Sequence, residues 1–419
     1  MTSVRHQVRT LAVLMCAVAT AGVVLPTGSA QASPPPAPKP TSADKSPSAP
    51  DPHPPAGGKA PDGSVPGGPR LASRAIVLPA GAPKLPMNLT ARSWVLADLD
   101  SGQILAARDP HGRYQPASIL KSLTAVTILP NLPGKRVVTI SHAAATAEGS
   151  AVGLLAGAKY DVDNLFDALM LVSGNDAAVA LAEANGGVAK TVAEMNAKAE
   201  SLGAYDTFVQ TPSGLDGWQQ LTSSYDMMLV LRAALKLPRF IAYDRLASAT
   251  YPVKKSKYGK VGVYQFDNQS LDFLRGVPGA LVAKTGYTDA AGHTYLCAAE
   301  RNGRRLGLVM LRNKRTPLDQ YQQAAELLDW GFALKPTVQP IGMLAGPISS
   351  QPTSGGQPNA SGGASAGNQP AAGAKAAPPA NAPGRSQPAL TGSIGAVVVL
   401  VAGGFVGRQA RRRRARRQR

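Results

Sequence analysis

The sequence predicts an α+β fold, an antiparallel β-sheet flanked by helices on both faces. Three observations predict it. Strand-like runs stand near both ends of one long stretch, helical spacing fills its middle, and the Pro-, Ala-, Gly- and Ser-rich segments that flank it are too poor in large apolar residues to build a core. That stretch is 86–338, about 250 residues and long enough for one sizeable domain.

The domain opens on a hairpin, in which Trp94–Asp98 and Gln103–Ala107 flank the turn Asp100-Ser101-Gly102. A helix follows, with Pro116 near its first turn and Pro130 at its end. Val162–Val172 and Asp176–Ala184 have helical spacing, broken at Ser173-Gly174 and stopped at Gly186-Gly187. Thr294–Ala299 and Leu306–Leu311 read as strands joined by the hairpin signal Asn302-Gly303. The last helix is expected to start at Thr316, with Pro317 in its first position, and to run to about Leu334. Cys297 falls in an apolar strand and reads as a buried structural thiol.

The ends carry targeting signals. Residues 1–32 read as a secretory signal: Arg5 and Arg9, an apolar run from Leu11 to Leu25, and the small-x-small site Ala30-Gln31-Ala32. Cys16 leaves with it, so Cys297 has no disulfide partner. Residues 33–85 and 339–388 are rich in Pro, Ala, Gly and Ser and are expected to be linkers. Residues 389–407 read as a transmembrane helix: Ala389–Val406 is mostly apolar and reaches roughly 27 Å as a helix, just enough for a bilayer core. The arginine-rich tail 408–419 marks the cytoplasmic side. A single-pass protein of the cell membrane is expected, its catalytic domain on the extracellular, cell-wall side. Pro388-Ala389-Leu390-Thr391-Gly392 also approximates a sortase signal, which would leave the protein linked to the wall instead.

The same tail explains the charge. The formal net charge is +19, but 86–338 holds 26 Lys+Arg against 22 Asp+Glu, a net of +4. A nucleic-acid-binding domain is therefore not expected.

Three short elements carry chemistry. In Ser118-Ile119-Leu120-Lys121 the i, i+3 spacing puts a hydroxyl and an amine on one helix face. A serine needs a base to take its proton, and a neutral lysine can serve. Ser42-Ala43-Asp44-Lys45 has the same spacing, but only Ser118 starts an apolar-periodic helix. Ser173-Gly174-Asn175 lies at a break between helices, where polar side chains can project into a cleft or simply cap a helix. Lys284-Thr285-Gly286 ends an apolar strand. There a cation and a hydroxyl can hold a carboxylate, and a glycine lets a backbone approach. No His/Cys/Asp group has metal-ligand spacing and no Gly-rich loop follows a strand as a phosphate site needs, so neither a metal nor a cofactor is expected.

In this order the three elements are the set shared by β-lactamases and penicillin-binding proteins. The sequence resembles the low-molecular-weight D-alanyl-D-alanine carboxypeptidases over nearly the whole domain. The likeness extends through Pro116–Ala125, Ser173–Ala178, Pro212-Ser213-Gly214-Leu215, Lys284–Thr288 and Leu327–Phe332. Many members carry a β-rich domain after that last helix, where an acid-free linker is expected here. The resemblance implies a β-lactamase/transpeptidase-like fold and two-step acyl transfer on the D-Ala-D-Ala end of a peptidoglycan stem peptide. It makes Ser118 the nucleophile and Lys121 its base. Ser173 and Asn175 relay the proton and hold the peptide. Lys284 and Thr285 bind the terminal carboxylate, and Lys284 also depresses Lys121. The oxyanion would rest on the backbone N–H groups of Ser118 and Tyr287, with Gly286 between strand and substrate. β-Lactam antibiotics would acylate the same serine. A transpeptidase or endopeptidase shares this chemistry. A class A β-lactamase would need a glutamate between the second and third elements, and none occurs from Ser201 to Ala299.

Overall fold

The computed structural model describes residues 57, 59–254, 260–335 and 337–346. The expected signal, the membrane span, the tail and most of both linkers lie outside them. Among the described residues no helix is long and apolar enough to cross a membrane.

Along the chain come a 3₁₀ turn (Pro69–Ala72), β1 (Ile76–Val77), β2 (Ser93–Asp98), β3 (Gln103–Arg108) and a second 3₁₀ turn (Ala117–Leu120) running into α1 (Lys121–Ile128). Then follow β4 (Val137–Thr139), α2 (His142–Ala145), β5 (Lys159–Asp161), α3 (Val162–Leu171), α4 (Asn175–Ala184) and α5 (Val188–Leu202). Next are α6 (Ser224–Ala234), α7 (Pro238–Asp244), β6 (Ser248–Lys254), β7 (Val261–Asp267) and α8 (Leu271–Gly276). The chain closes with β8 (Ala280–Thr288), β9 (Gly292–Arg301), β10 (Arg304–Asn313), α9 (Gln320–Phe332) and β11 (Gly342–Met343).

The main sheet is antiparallel in the order β1-β3-β2-β10-β9-β8. Its strands alternate as a sheet covered on both faces must. Val95, Ala97, Val309 and Leu311 face a core built with α1, α3, α4, α5 and α6. Trp94, Leu96, Leu308 and Met310 face a second core with Phe273 of α8 and Leu327 and Leu328 of α9. The α+β fold with helices on both faces is thus the one expected. Cys297 is buried and free. The β9–β10 turn puts Asn302 and Gly303 at φ 52° and 75°, the left-handed pair a tight hairpin needs. All eight residues of α1 are buried, so any polar group on that helix must find its partners inside the protein.

Two boundaries differ from the sequence reading. The stretch 59–85, expected as linker, lies against the domain. Leu71 packs in the core, and β1 pairs with β3 through Ile76↔Arg108 and Val77↔Ala107. At the other end β11 pairs with the same strand beyond the expected limit at 338, through Gly342↔Ile104. Two short segments thereby cover an edge strand that would otherwise expose unpaired backbone groups. His111 fastens the first of them, its Nε2 2.9 Å from Pro66 O and its Nδ1 2.7 Å from Asp206 Oδ2. The last helix also starts later than expected. Asp319, not Thr316, caps it, forming a capping box with Gln322, and Pro317 lies outside the helix.

Candidate active site

The first 3₁₀ residue after Pro116 is Ala117, held at φ 49°. A non-glycine residue in that region is strained and persists only where its neighbours hold it. Three neighbours do. Thr294 Oγ1 of β9 donates to Pro116 O (2.9 Å). Gly286 of β8 lies against the Ser118 amide, and Gly214 against Ala117 O, so closely that a Cβ on either glycine would collide. The turn presents Ser118 half-buried and sends Lys121 into the core.

Lys121 is fully buried. Its Nζ lies 2.7 Å from Asn175 Oδ1, 2.6 Å from Ser213 O and 2.9 Å from Ser118 Oγ. The first two atoms can only accept, because Asn175 Nδ2 donates to Glu148 O (2.6 Å) and so fixes the amide orientation. A neutral amine has two N–H groups and one lone pair. In that form the two N–H groups would meet those acceptors and the lone pair would face the serine hydroxyl, whereas a charged amine would donate to all three oxygens. Burial, then the charge of Lys284, hold the Lys121 amine well below the ordinary lysine range, with Asp176 opposing. Electrostatics thus disfavours the charged form of the one amine within reach of the Ser118 hydroxyl.

The second element occupies the break between α3 and α4. Ser173 sits at φ 62°, another strained non-glycine residue. Its hydroxyl is buried with no hydrogen-bond partner among the described residues, an arrangement that leaves it free for a group entering the cleft. Asp176 holds this region by accepting the amides of Gly153 (2.8 Å) and Leu154 (3.1 Å), which fixes the loop that also supplies Glu148 O.

The third element is the end of β8. Lys284 is buried at 1% exposure and donates to Thr285 O (2.9 Å). Burial lowers its amine to about 8, and the Asp244 carboxylate opposes the fall. Thr285 is half-buried and Tyr287 is 57% exposed. A cleft of about 260 Å³ is lined by Ser118, Ser173, Thr285, Gly286, Tyr287 and Arg315, among others. Lys284 stands behind that wall. A larger hollow of about 560 Å³ is lined by Lys135, Asp163, Arg239 and Tyr243, which already bond one another, and it offers no nucleophile.

Of the expected residues, Ser118, Ser173, Thr285, Gly286 and Tyr287 line one cleft; Lys121 and Asn175 lie beneath it, Lys121 hydrogen-bonded to both Ser118 and Asn175, and Lys284 is buried behind Thr285. Arg315, Thr294, Ser213, Asp176 and Asp244 were not foreseen as parts of the site. Ser213 and Asp176 had a signal, in the Pro212–Leu215 and Ser173–Ala178 segments. Among the described residues His111, Asp206 and Asp226 could be read as a metal group. The His111 ring nitrogens already face Asp206 and Pro66 O, so the imidazole is engaged in hydrogen bonds and is not a vacant ligand.

Gly286→Ala tests the tight passage. The new Cβ would stand 2.3 Å from Thr294 Oγ1 and 2.8 Å from Ser118 N, and Thr294 cannot swing away without releasing Pro116 O. A shift of about 1 Å between β8 and Ser118 is expected to lower kcat/KM about a hundredfold. Steady-state kinetics beside a melting curve check that the loss is one of geometry.

Comparison with known proteins agrees with this geometry. The family model for D-alanyl-D-alanine carboxypeptidase, peptidase S11, matches residues 80–315. A D-alanyl-D-alanine carboxypeptidase of Mycobacterium tuberculosis is 42% identical over 266 residues, 62% of this chain and 89% of that one. One from Bacillus subtilis is 30% identical over 254 residues, and the match spans 62% of its length. Among solved structures, a carboxypeptidase from M. tuberculosis superposes with a TM-score of 0.59 at 42% identity, covering 64% of this chain and 99% of that one. A mutant of the Streptomyces K15 DD-transpeptidase superposes with a TM-score of 0.54 at 25% identity, covering 60% of this chain and all of that one. The chain belongs to the D-alanyl-D-alanine carboxypeptidase family of serine peptidases.

Proposed function

We infer that the protein is a serine-type D-Ala-D-Ala carboxypeptidase that removes the terminal D-alanine from peptidoglycan stem peptides. The observation that carries this reading is the fully buried Lys121 amine 2.9 Å from Ser118 Oγ. Lys121 takes the hydroxyl proton while Ser118 Oγ attacks the penultimate D-alanine carbonyl. The N–H groups of Ser118 and Tyr287 receive the oxyanion. Ser173, with its unengaged hydroxyl, relays the proton from the Lys121 ammonium to the leaving amine, so free D-alanine departs and Lys121 is neutral again. Lys121 then deprotonates water as it attacks the ester, and returns that proton to Ser118 Oγ as the ester bond breaks. Thr285 and Arg315 line the cleft where the substrate carboxylate would lie, with Lys284 adding positive field from behind. β-Lactams would form the same ester and leave slowly. An amine acceptor in place of water would make the enzyme a transpeptidase, a reading that the likeness to the Streptomyces enzyme favours.

The test uses the full chain with diacetyl-Lys-D-Ala-D-Ala. D-Alanine release is expected, together with one stable penicillin adduct mapping to the peptide that contains Ser118. Rapid penicillin turnover without D-alanine release would instead assign a β-lactamase, and a product joined to added amine would assign a transpeptidase. We further propose, on the sequence of 389–419 alone, that a single C-terminal span tethers the domain on the cell-wall side of the membrane.

A further inference from the structure

β8 is the edge strand of the main sheet, paired with β9 on one side only. An edge amide must find a partner elsewhere. For Ala283, the residue before Lys284, that partner is a carboxylate: Ala283 N donates to Asp244 Oδ1 at 2.7 Å. Asp244 is the last residue of α7 and is 1% exposed. Its own backbone is held in turn, Asn268 Nδ2 donating to Asp244 O at 2.7 Å. A carboxylate sealed in the interior beside a catalytic strand is costly unless something there requires its charge.

We propose that Asp244 is a positioning residue of the acyl-transfer site: it fixes β8 through the Ala283 amide and sets its carboxylate beside the buried Lys284. This rests on the reading of Lys284 as the cation of the site. The groups around it are few. Lys284 faces Asp244 from α7 and Lys121 from α1, and Asp244 also faces Tyr295 and Cys297 of β9. Tyr295 and Cys297 are both pushed well above their ordinary ranges by burial and stay neutral. Asp244 and Lys284 are thus two buried groups of opposite sign, linked through the Ala283 amide and not by direct contact. Burial pushes Asp244 up to about 7, and the Ala283 amide and then Lys284 oppose it. Each group stabilises the charged form of the other, so removing the carboxylate charge must lower the Lys284 amine further. A neutral Lys284 would weaken the hold on the substrate carboxylate and relax the field on Lys121.

Asp244→Asn separates charge from geometry, because the amide oxygen can still accept from Ala283. The pH profile of kcat/KM for D-alanine release is compared with wild type. The basic limb is expected to move to lower pH by about one unit, with KM at pH 8 raised several-fold and kcat little changed. A structural role alone would lower the melting temperature and leave the limb in place. Should the Asn variant not fold, Asp244→Ser retains an acceptor for Ala283 and must show the same shift. A limb that stays put, or moves to higher pH, in a folded variant overturns the proposal. A wild-type enzyme that releases no D-alanine overturns the functional reading first, and the two failures are distinguishable in one assay.

Discussion

Ser118→Ala is expected to lower kcat/KM for D-alanine release by about a millionfold, as removal of a serine nucleophile does elsewhere. The melting temperature should stay within about 2 °C of wild type. The hydroxyl's hydrogen bond in the structure is the one with Lys121, and Ser118 is half-buried, so its loss leaves no cavity in the core. The strained turn is held by backbone and neighbouring groups, namely Pro116 O, the Ser118 amide and Ala117 O, none of which the substitution removes. Intact mass after incubation with penicillin gives the second readout, a single adduct in wild type and none in the variant. An adduct persisting on Ser118→Ala would mean that another residue is the nucleophile. Substrate binding should survive, because Thr285, Arg315 and Lys284 are untouched.

What the sequence made legible follows from the range of each interaction. The β2–β3 and β9–β10 hairpins are visible because short apolar runs closed by a turn with a left-handed glycine are local properties. The Ser118–Lys121 pair is visible because one helical turn joins it. Its identity as the nucleophile was not local, since Ser42–Lys45 matches equally well; the second and third elements supplied it. The rest depends on chain segments far apart. Thr294 reaches Pro116 O across 178 positions, and Ser213 O meets Lys121 across 92. Asp244 gains meaning only where α7 ends beside the edge of β8. Leu71 stands alone and Ile76-Val77-Leu78 is too short a run to show a period in a Pro- and Gly-rich stretch, so no periodicity marks the strap they form. The free edge of β3 recruits it.

Lys121→Ala carries the other large expected effect. Loss of a general base used in both acylation and deacylation is expected to reduce kcat/KM about 10³- to 10⁴-fold. Wild type should show a bell-shaped pH profile. On the acid side activity falls as Lys121 takes up a proton and loses its lone pair. That limb lies far below the ordinary lysine range, because burial and the Lys284 charge both disfavour the cation. On the basic side activity falls near pH 8 as Lys284 loses its proton. The residual activity of Lys121→Ala should lack the acid limb and keep the basic one. Stability supplies an independent sign. A lysine whose folded value lies below its unfolded value leaves the unfolded chain holding more protons between the two, so wild type gains stability as pH rises through that window. Alanine cannot make that gain, and it also leaves Ser213 O and Asn175 Oδ1 without their buried donor, at about 1–3 kcal/mol for each such group. The melting-temperature deficit of Lys121→Ala should therefore widen from acid to alkaline pH. A deficit that narrows instead would mean that Lys121 rests as a cation paired within the site, and the base would have to be sought elsewhere.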